Sequence, residues 1–362
     1  MKFAVVSDGY QAERDTVAGA LVQTFLAHGN EMGPADNGIN FALNLIRPDD
    51  PRHFRRKSQS VFVFSVIQDE RLDNTFKSRC YTALVRSLSN LLLCVVPGER
   101  SGVPEIYFTT PEAGFYHLPF DPEAVYDRLR PIASAHFATE NRFSEDLPGR
   151  LWMGSPVTRD LSRYGKELEM MGVLPVPFPL REVLTEEALR QLYKIYGITG
   201  ASYGNLSARE LVPDLGTCTF WMTGRGVNKA DLRVVGKDML LVKGFDHTQG
   251  AALIAQPPGA DARARVSVDA VEHELIYRTY PEVGAIVHAH AWMDGVPCTR
   301  QNYPCGTREL AAEVAALLAT VRDPGRAAVG LKNHGLTITG STLEEIFSRV
   351  RGRLLREVAM FD

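Results

Sequence analysis

The sequence predicts an α/β protein of two domains, and three observations lead to that prediction. The chain has 362 residues, a length that suggests more than one domain. Its composition, 45% hydrophobic and 23% charged, is that of an ordinary folded protein. Short apolar runs and amphipathic stretches alternate along both halves, which is typical of strands mixed with helices.

The first 140 residues are predicted to form a separate mixed α/β domain. Apolar runs of five to eight residues indicate strands, and the amphipathic stretches between them indicate helices. A glycine after the first amphipathic stretch marks its end. The predicted strands are 2–7, 40–46, 60–67, 91–96 and 106–109, and the predicted helices are 12–27, 75–89 and 123–137.

The loop Ser7-Asp8-Gly9-Tyr10 follows the first predicted strand. A nucleotide-binding β–α unit would carry G-x-G-x-x-G there, and this loop lacks it. No strong motif therefore assigns a role to the first domain. It shapes the substrate site, blocks or mediates subunit contacts, binds a carrier protein or carries the chemistry itself.

Residues 141–180 are predicted to be a linker and an entry segment to the second domain. This stretch is rich in proline, glycine and charged residues, and it ends in the run Val-Leu-Pro-Val-Pro-Phe-Pro-Leu. Prolines and glycines at this density punctuate helices and strands, so they favour a connecting segment.

Residues 181–362 are predicted to form the second domain. It opens with a helix over 186–196, for which Thr185 is a suitable N-cap with two acids in the first turn. The last helix starts at the capping box Ser341-Thr342-Leu343-Glu344 and runs to near Met360. Further strands are predicted at 217–223, 239–242, 283–287 and 327–332, and further helices at 268–279 and 308–318.

Two histidines, His288 and His290, end the apolar run Val283-Gly284-Ala285-Ile286-Val287. On a strand, side chains two residues apart point to the same face, so the two imidazoles share one space. Neutral imidazole is a common ligand for zinc and similar divalent metals. The alternative is a pair of hydrogen-bonded core or pocket histidines.

A third imidazole, His334, follows another apolar strand and precedes a glycine. A histidine on a turn at a strand end is well placed to face a cleft. Together with the pair it forms a three-histidine set, which is the ligand count of catalytic zinc sites that keep one position open. The sequence therefore predicts a divalent metal, with Zn²⁺ as the first choice.

Asp269 lies in the first turn of the helix that leads into the histidine strand. The positive end of the helix dipole favours its ionised form, and a carboxylate beside a metal can act as a general base. Charge compensation at a helix N-terminus is the simpler alternative.

Two turns are candidates for binding an anionic group. Gly204-Asn205-Leu206-Ser207 is expected to be a polar turn, and Thr223-Gly224-Arg225-Gly226 follows a strand. Such turns expose backbone N–H groups and hydroxyls that bind phosphate. Either of them alone is more often only a turn.

The charge pattern and the cysteines limit the classes of partner. The formal net charge is −3 and the one basic run, 52–57, is short, so nucleic acid is not expected as a partner. Five cysteines without a C-x-x-C motif fit a reducing compartment. No signal pattern and no apolar stretch near 18 residues is present. We expect a cytoplasmic protein that acts on a small molecule and does not bind a membrane.

The order of these motifs resembles the class II aldolase/adducin family over roughly residues 180–360, half of the chain, and the first half lies outside the resemblance. Several short motifs recur in the family's order with compatible spacing. They are Gly204-Asn205-Leu206-Ser207-Ala208-Arg209, Thr223-Gly224, Ser267-Val268-Asp269, His273, Pro281-Glu282-Val283, Ile286-Val287-His288-Ala289-His290, Gly306-Thr307-Arg308-Glu309-Leu310 and Asn333-His334-Gly335.

The resemblance implies a three-layer α/β/α domain with a mainly antiparallel central sheet. It implies that His288, His290 and His334 bind the metal and that Asp269 is the catalytic acid or base. It further implies a homo-oligomer, a tetramer with active sites between subunits. The family's phosphate-binding positions correspond to Asn205, Thr223, Gly224 and Ser267.

Three features depart from the family pattern. Ser267 is followed by valine where the family carries a second serine. The segment between the histidine pair and Gly306 is short, and no equivalent of the family's catalytic tyrosine can be placed, although Tyr303 is near. Arg225 follows the Thr-Gly turn, where it either binds a carboxylate or phosphate or faces solvent.

The predicted function is a metal-dependent lyase that cleaves or forms a C–C bond in a small polyoxygenated carbonyl compound with an anionic group, through a metal-stabilised enediolate. Decarboxylation, dehydration and epimerisation pass through related oxyanions and stay open. A non-catalytic binding or scaffold module, like adducin, is the alternative of another class.

Overall fold

A computed structural model of the protein describes residues 1–35, 38–56, 61–98, 102–111, 114–174, 185–187, 189–190, 203–261 and 263–361. The described residues form two compact units, each with its own mixed sheet, and the prediction of a mixed α/β protein is confirmed. Unit 1 contains residues from 1–134 together with 185–187, 189–190 and 360–361, and unit 2 contains residues from 135–174 and 203–359.

Unit 1 is built on a seven-stranded sheet of order β2-β1-β3-β4-β5-β6-β7. The first five of these strands run parallel, β6 runs antiparallel to β5, and β7 runs antiparallel to β6. The strands are β1 Lys2–Ser7, β2 Glu31–Met32, β3 Phe41–Leu45, β4 Phe62–Gln68, β5 Leu91–Val96, β6 Glu105–Thr109 and β7 Phe115–Pro119, and the helices are α1 Ala12–Ala27, α2 Phe76–Arg86 and α3 Pro122–Ala133.

Unit 2 is built on an eight-stranded sheet of order β14-β15-β13-β9-β10-β11-β12-β8. Neighbours run antiparallel except β8, which lies parallel to β12. The strands are β8 Glu140–Ser144, β9 Asn205–Arg209, β10 Phe220–Thr223, β11 Met239–Asp246, β12 Ala251–Ala255, β13 Ala285–Ala289, β14 Ala328–Leu331 and β15 Gly335–Gly340, and the helices are α4 Pro156–Met170, α5 Ala270–Thr279, α6 Arg308–Leu318 and α7 Leu343–Val350.

Helices cover both faces of the second sheet, because its strands carry apolar side chains on both. On one face, Tyr164 of α4 and Phe347 of α7 pack with Trp221 of β10. On the other face, Tyr277 of α5 and Val314 of α6 pack in a second apolar cluster with further sheet residues. Burial on both sides holds the central strands, including β13, in a fixed register.

The segment 141–174 differs from the predicted linker. It contains the end of β8, which pairs with β12, and the helix α4, which packs in the core of unit 2. Pro156 stands at the first turn of α4, where a proline is tolerated, and Ser155 forms a capping box with Thr158. The proline that favours a loop in the sequence thus starts a helix.

Two further expectations for unit 2 are corrected. The expected polar turn at 204–207 is mostly strand, because Asn205 begins β9 and β9 pairs with both β10 and β13. The last helix ends at Val350 instead of near Met360. It stops there because Arg351 has an extended conformation, with ψ of 130°, and Leu355 then pairs with Trp292.

The predicted helix over 186–196 lies mostly outside the described residues, of which 186–187 and 189–190 are helical. Within the described part of the chain, no helix combines the length and the apolar character that crossing a bilayer requires.

Candidate metal centre

The three predicted histidines converge in unit 2. The ring centroids of His288 and His290 lie 5.1 Å apart, and His334 lies 5.0 and 4.9 Å from these two rings. One ring nitrogen of each histidine lies within 4.8 Å of the other two. Three imidazoles at this separation could hold one metal ion.

Sheet pairing brings these side chains together. His288 lies in β13, opposite Asn205 of β9 on one side and Thr337 of β15 on the other. His290 follows β13 directly. His334 occupies the tight turn from β14 to β15, where Asn333 has a positive φ of 57°. The chain thus returns beside β13 after more than 40 residues.

The hydrogen bonds of His288 orient its free nitrogen. His288 Nδ1 donates to the Leu336 carbonyl oxygen at 3.1 Å, so Nε2 carries the lone pair. His288 Nε2 and His290 Nδ1 are buried without a hydrogen-bond partner among the described residues. Metal-binding histidines have this arrangement, in which the second ring nitrogen donates to a carbonyl or carboxylate. Buried nitrogens without a partner fit a metal ion.

Burial favours the neutral form of all three imidazoles. It lowers the pKa of His288 and holds the pKa of His290 well below its ordinary value. Burial, with a smaller contribution from His288, lowers the pKa of His334 to about 3. Neutral imidazole is the form that binds metal, so the three rings are ready for a ligand role.

The carboxylate of Asp269 lies beside the histidines and is held by Asn205. Asn205 Nδ2 donates to Asp269 Oδ2 at 2.7 Å, and both side chains are buried. Asp269 is the N-cap residue of α5, yet its carboxylate makes no capping bond. One carboxylate oxygen of Asp269 also lies within 4.8 Å of a ring nitrogen of His288. The carboxylate therefore faces the candidate centre instead of the helix end.

A buried polar layer from α5 lies near Asp269. Thr337 Oγ1 donates to Glu272 Oε1 at 2.6 Å. Burial, and then the charge of Asp269, raise the pKa of Glu272 to about 8, while the bond from Thr337 lowers it. Burial, and then His288, lower the pKa of His273 to about 3. Both side chains are therefore neutral near pH 7.

Ser207, predicted to bind an anion, is fully buried against α5. Its Oγ lies 2.8 Å from His273 Nδ1 and 2.8 Å from the Tyr277 hydroxyl. The structure thus places this hydroxyl in the contact between β9 and α5.

The predicted Thr-Gly turn uses its backbone donors within the protein. Gly224 N donates to the Asp238 carbonyl, and Arg225 N donates to the Arg265 carbonyl. Thr223 Oγ1 accepts a bond from Leu206 N, and Ser267 N donates to the Thr223 carbonyl. These contacts bring Thr223, Gly224 and Ser267 together, but they do not leave the turn N–H groups open as expected.

Arg225 lies in this turn and keeps a buried donor without a partner among the described residues. Its Nε is buried without a hydrogen-bond partner among the described residues, while Nη2 lies 3.5 Å from the Thr139 carbonyl. Burial lowers the pKa of Arg225, and the charge of Asp269 acts in the opposite direction. A guanidinium that is partly buried with a free donor fits anion binding better than exposure to solvent.

Two side chains near the centre were not predicted from the sequence. Cys305 Sγ lies 3.1 Å from His334 Nε2. Lys229 is buried, and burial lowers its pKa to about 8, against the effect of Asp269. Cys305 could have been noticed because it directly precedes the Gly306-Thr307-Arg308 motif. No pattern in the sequence distinguishes Lys229 from a surface lysine.

Residues 185–293 match the family model of the class II aldolase and adducin N-terminal domain. The predicted resemblance to the class II aldolase and adducin family is confirmed over this part of the chain. The match points to an aldolase-like or related metal-dependent activity, and the histidine centre provides side chains that could hold a divalent metal.

Several solved structures are similar to this chain. L-fuculose 1-phosphate aldolase is 19% identical, with 55% of this chain and 82% of that chain covered and a TM-score of 0.37. An aldolase II superfamily protein from Pseudomonas syringae is 16% identical, with 57% and 72% covered and a TM-score of 0.36. The N-terminal class II aldolase domain of a conserved protein from Thermoplasma acidophilum is 14% identical, with 58% and 93% covered and a TM-score of 0.34. A comparison with curated protein sequences finds no match.

Proposed function

We propose that the class II aldolase domain is a metal-dependent lyase. Its substrate is a small polyoxygenated carbonyl compound with an anionic group, and its reaction cleaves or forms a C–C bond. The observation that supports this proposal is the convergence of three neutral imidazoles, two of them buried and one partly buried, with one buried carboxylate. We assign the reaction to residues 181–362.

His288, His290 and His334 would hold the metal, with Zn²⁺ as the first choice for three imidazole ligands. When bound, such an ion polarises a carbonyl oxygen and stabilises the negative charge that develops on it. The bond from His288 Nδ1 to the Leu336 carbonyl orients that ring toward the ion.

Asp269 moves the proton. Because Asn205 Nδ2 occupies Oδ2, the other carboxylate oxygen is the one that takes a proton from the substrate hydroxyl and later returns it. The amide also fixes the plane of the carboxylate, so the proton acceptor keeps one orientation toward the histidines.

Arg225 receives the anionic group. Its buried Nε lacks a protein acceptor among the described residues, and a carboxylate or phosphate oxygen would supply one. Asn205, Thr223 and Ser267 complete this end of the site through their side chains, beside Gly224. Because valine follows Ser267 where the family carries a second serine, this end of the site could bind a carboxylate as well as a phosphate.

Decarboxylation, dehydration and epimerisation use the same centre and stay open as reactions. A scaffold role, as in adducin, has no need for three neutral histidines around a carboxylate. The histidines therefore favour an enzyme.

Metal analysis of the purified protein tests the site. We expect about one zinc-like ion per chain, and loss of most of it in a His288→Ala/His290→Ala double variant. His136→Ala/His247→Ala is the matched control, because these two histidines of unit 2 are exposed and contact the carboxylates of Glu309 and Glu274. Full metal content in the first double variant would refute the ligand assignment.

The reaction is tested by product analysis. The metal-loaded protein is incubated with aldol, decarboxylation and dehydration substrates that carry either a phosphate or a carboxylate, and products are identified by mass. A mass that shows C–C cleavage supports the lyase. Metal binding with no turnover of any candidate would favour the scaffold alternative.

A further inference from the structure

Cys305 lies beside the three histidines and outside the predicted ligand set. Its Sγ lies 3.1 Å from His334 Nε2. The same sulfur lies within 4.8 Å of a ring nitrogen of His288 and a carboxylate oxygen of Asp269. Cysteine thiolate is a strong ligand for zinc and for softer metals.

The backbone on both sides of Cys305 is held by hydrogen bonds, which keep this residue beside the histidines. Gly306 has a φ of 72°, and a Cβ at this position would meet Thr139 Cγ2 at 2.5 Å. The Gly306 carbonyl accepts a bond from Ala138 N at 2.8 Å. Thr307 caps α6 and donates to the Pro304 carbonyl at 2.7 Å. These bonds fix the backbone on both sides of the cysteine.

We propose that Cys305 is a fourth protein ligand of the metal centre. With the three histidines it makes a closed set when no substrate is present, and the substrate has to compete with the thiolate. This rests on the proposed function of the histidines. When the metal binds, a sulfur–metal bond takes the place of the S–H bond of Cys305, and the proton is released to solvent. His288 Nε2 is buried and has no hydrogen-bond partner among the described residues, and His288 is 2% exposed, so this nitrogen points independently to a ligand at this place.

Cobalt substitution tests this ligand without relying on activity. The metal-free protein loaded with Co²⁺ should show a near-ultraviolet thiolate-to-cobalt charge-transfer band. Cys305→Ser should lose that band, still bind one Co²⁺ through the histidines, and bind it at least about tenfold more weakly, since even outer-shell partners contribute 10- to 100-fold.

Cys298→Ser and Cys218→Ser are the matched controls, because both are half-buried cysteines of the same unit. Both should keep the band. Cobalt binding without a thiolate band in the wild-type protein, or unchanged affinity in Cys305→Ser, overturns the fourth ligand and leaves the three-histidine site standing. Failure of the wild-type protein to bind Co²⁺ overturns both proposals.

Unit 1 carries a separate cavity of about 620 Å³, within the usual size range of small-molecule sites. It lies beyond the carboxyl ends of three parallel strands. Gly9 to Gln11 follow β1, Arg47 to Asp49 follow β3, and Asp69 and Arg71 follow β4, while Arg79 of α2 completes the wall. Because β2 and β3 lie on opposite sides of β1, the direction of the chain reverses there, and open α/β sheets bind ligands at such points.

Arg14, which is fully buried, connects the segments that follow β1 and β3 by hydrogen bonds. Arg14 donates from Nη2 to the Gly9 carbonyl after β1 and from Nη1 to the Ile46 carbonyl after β3, the latter at 3.0 Å. Its charge is balanced by Asp15, whose Oδ1 accepts from Arg14 Nε at 2.7 Å. The cavity walls are therefore set before any ligand arrives.

The arginines of the cavity lining have more N–H donors than the carboxylates of the lining accept. Asp69 accepts from Arg79 Nε at 2.8 Å and from Arg71 Nε at 3.3 Å, and Asp49 takes Nε and Nη2 of Arg47. Each guanidinium has five N–H donors, so the two carboxylates leave most of those on Arg47 and Arg71 for solvent or a ligand. Both of these side chains are more than half exposed at the cavity.

We infer that this cavity binds a small anion rich in acceptor oxygens, either a phosphate ester or a carboxylate. The test is calorimetry on metal-free protein in an Arg225→Gln background, which removes the anion group of the other site. Inorganic phosphate, adenosine monophosphate and succinate serve as probes. Binding of phosphate and the nucleotide indicates a phosphate ligand, and binding of succinate alone indicates a carboxylate.

Arg47→Gln and Arg71→Gln should each weaken the probe that binds by about tenfold or more, the value of a charge-assisted bond. Arg130→Gln, an exposed arginine on α3 away from the cavity lining, should leave it unchanged. Absence of binding by all three probes, or binding that both cavity variants leave intact, refutes the inference.

Discussion

At the scale of single residues, the candidate centre depends on how buried polar atoms are paired. Asp269 stands at the first position of a helix, where an acid usually caps the free N–H groups. Here Asn205 holds the carboxylate from a neighbouring strand instead. The carboxylate of Asp269 therefore faces the candidate metal centre and does not cap the helix.

Asp269→Asn should keep the metal and lose turnover. The amide cannot take a proton, and a positioned acid or base contributes about 10² to 10⁴ in rate. The measurements are metal content and kcat on the substrate found by the screen. A variant with normal kcat would remove Asp269 from the mechanism, while loss of metal would make it a ligand instead.

Glu272 should make the stability of unit 2 depend on pH. Its folded pKa of about 8 lies above the ordinary value of 4.5, so between these values the folded chain keeps a proton that the unfolded chain releases. Its contribution to stability is therefore full below about pH 4.5 and is lost as pH rises toward 8, by up to about 1.4 kcal/mol per pH unit.

Glu272→Gln has no such proton, so its unfolding free energy relative to wild type should rise steadily from pH 5 to pH 8. Chemical unfolding of the metal-free proteins measures this difference, and Glu344→Gln, an exposed acid, is the control. Parallel pH curves for wild type and Glu272→Gln would show that the glutamate ionises normally.

At the scale of elements, the capping residue marks where a helix begins. The capping box in the sequence starts at Ser341, but the structure gives the cap to Thr342, whose Oγ1 accepts from Glu345 N at 3.1 Å. The sequence pattern permits a helix start at either residue, because Ser341 and Thr342 can both cap and acids follow both of them. Packing of Ile346 and Phe347 in the core selects the register.

Thr342→Ala should destabilise unit 2 by about 1 kcal/mol, the usual value of an N-cap bond. In a domain of this size that lowers the melting temperature by about 2–4 °C. Ser341→Ala is the matched control and should change little, because Ser341 is exposed and is not the cap. Equal shifts in both variants would contradict the assignment.

At the scale of the whole molecule, the family resemblance predicts a tetramer with active sites between subunits. The chain has a mass of 40.1 kDa, so a mass in solution four times this value is expected. Light scattering on the metal-loaded protein measures it. A monomer that turns over substrate would show that one chain holds a complete active site.

The sequence by itself predicted the mixed α/β fold, the class II aldolase and adducin match over residues 185–293, and most of the residues of the proposed site. Periodicity is local, so continuous apolar strands such as β5 and amphipathic helices such as α6 can be recognised from neighbouring residues. The motifs around His288, His290 and His334 are short and ordered along the chain, and they are visible without any contact.

Only the tertiary structure decided what these residues touch. A strand such as β9 looks like a polar turn because Asn205 and Ser207 are buried by partners 60 or more residues away, which no local pattern contains. The same is true of α4, which lies within the stretch predicted to be a linker and packs in the core of unit 2. Cys305 meets His334 only because β14 and β15 return the chain beside β13, and long-range pairing of this kind depends on the packing of the whole sheet.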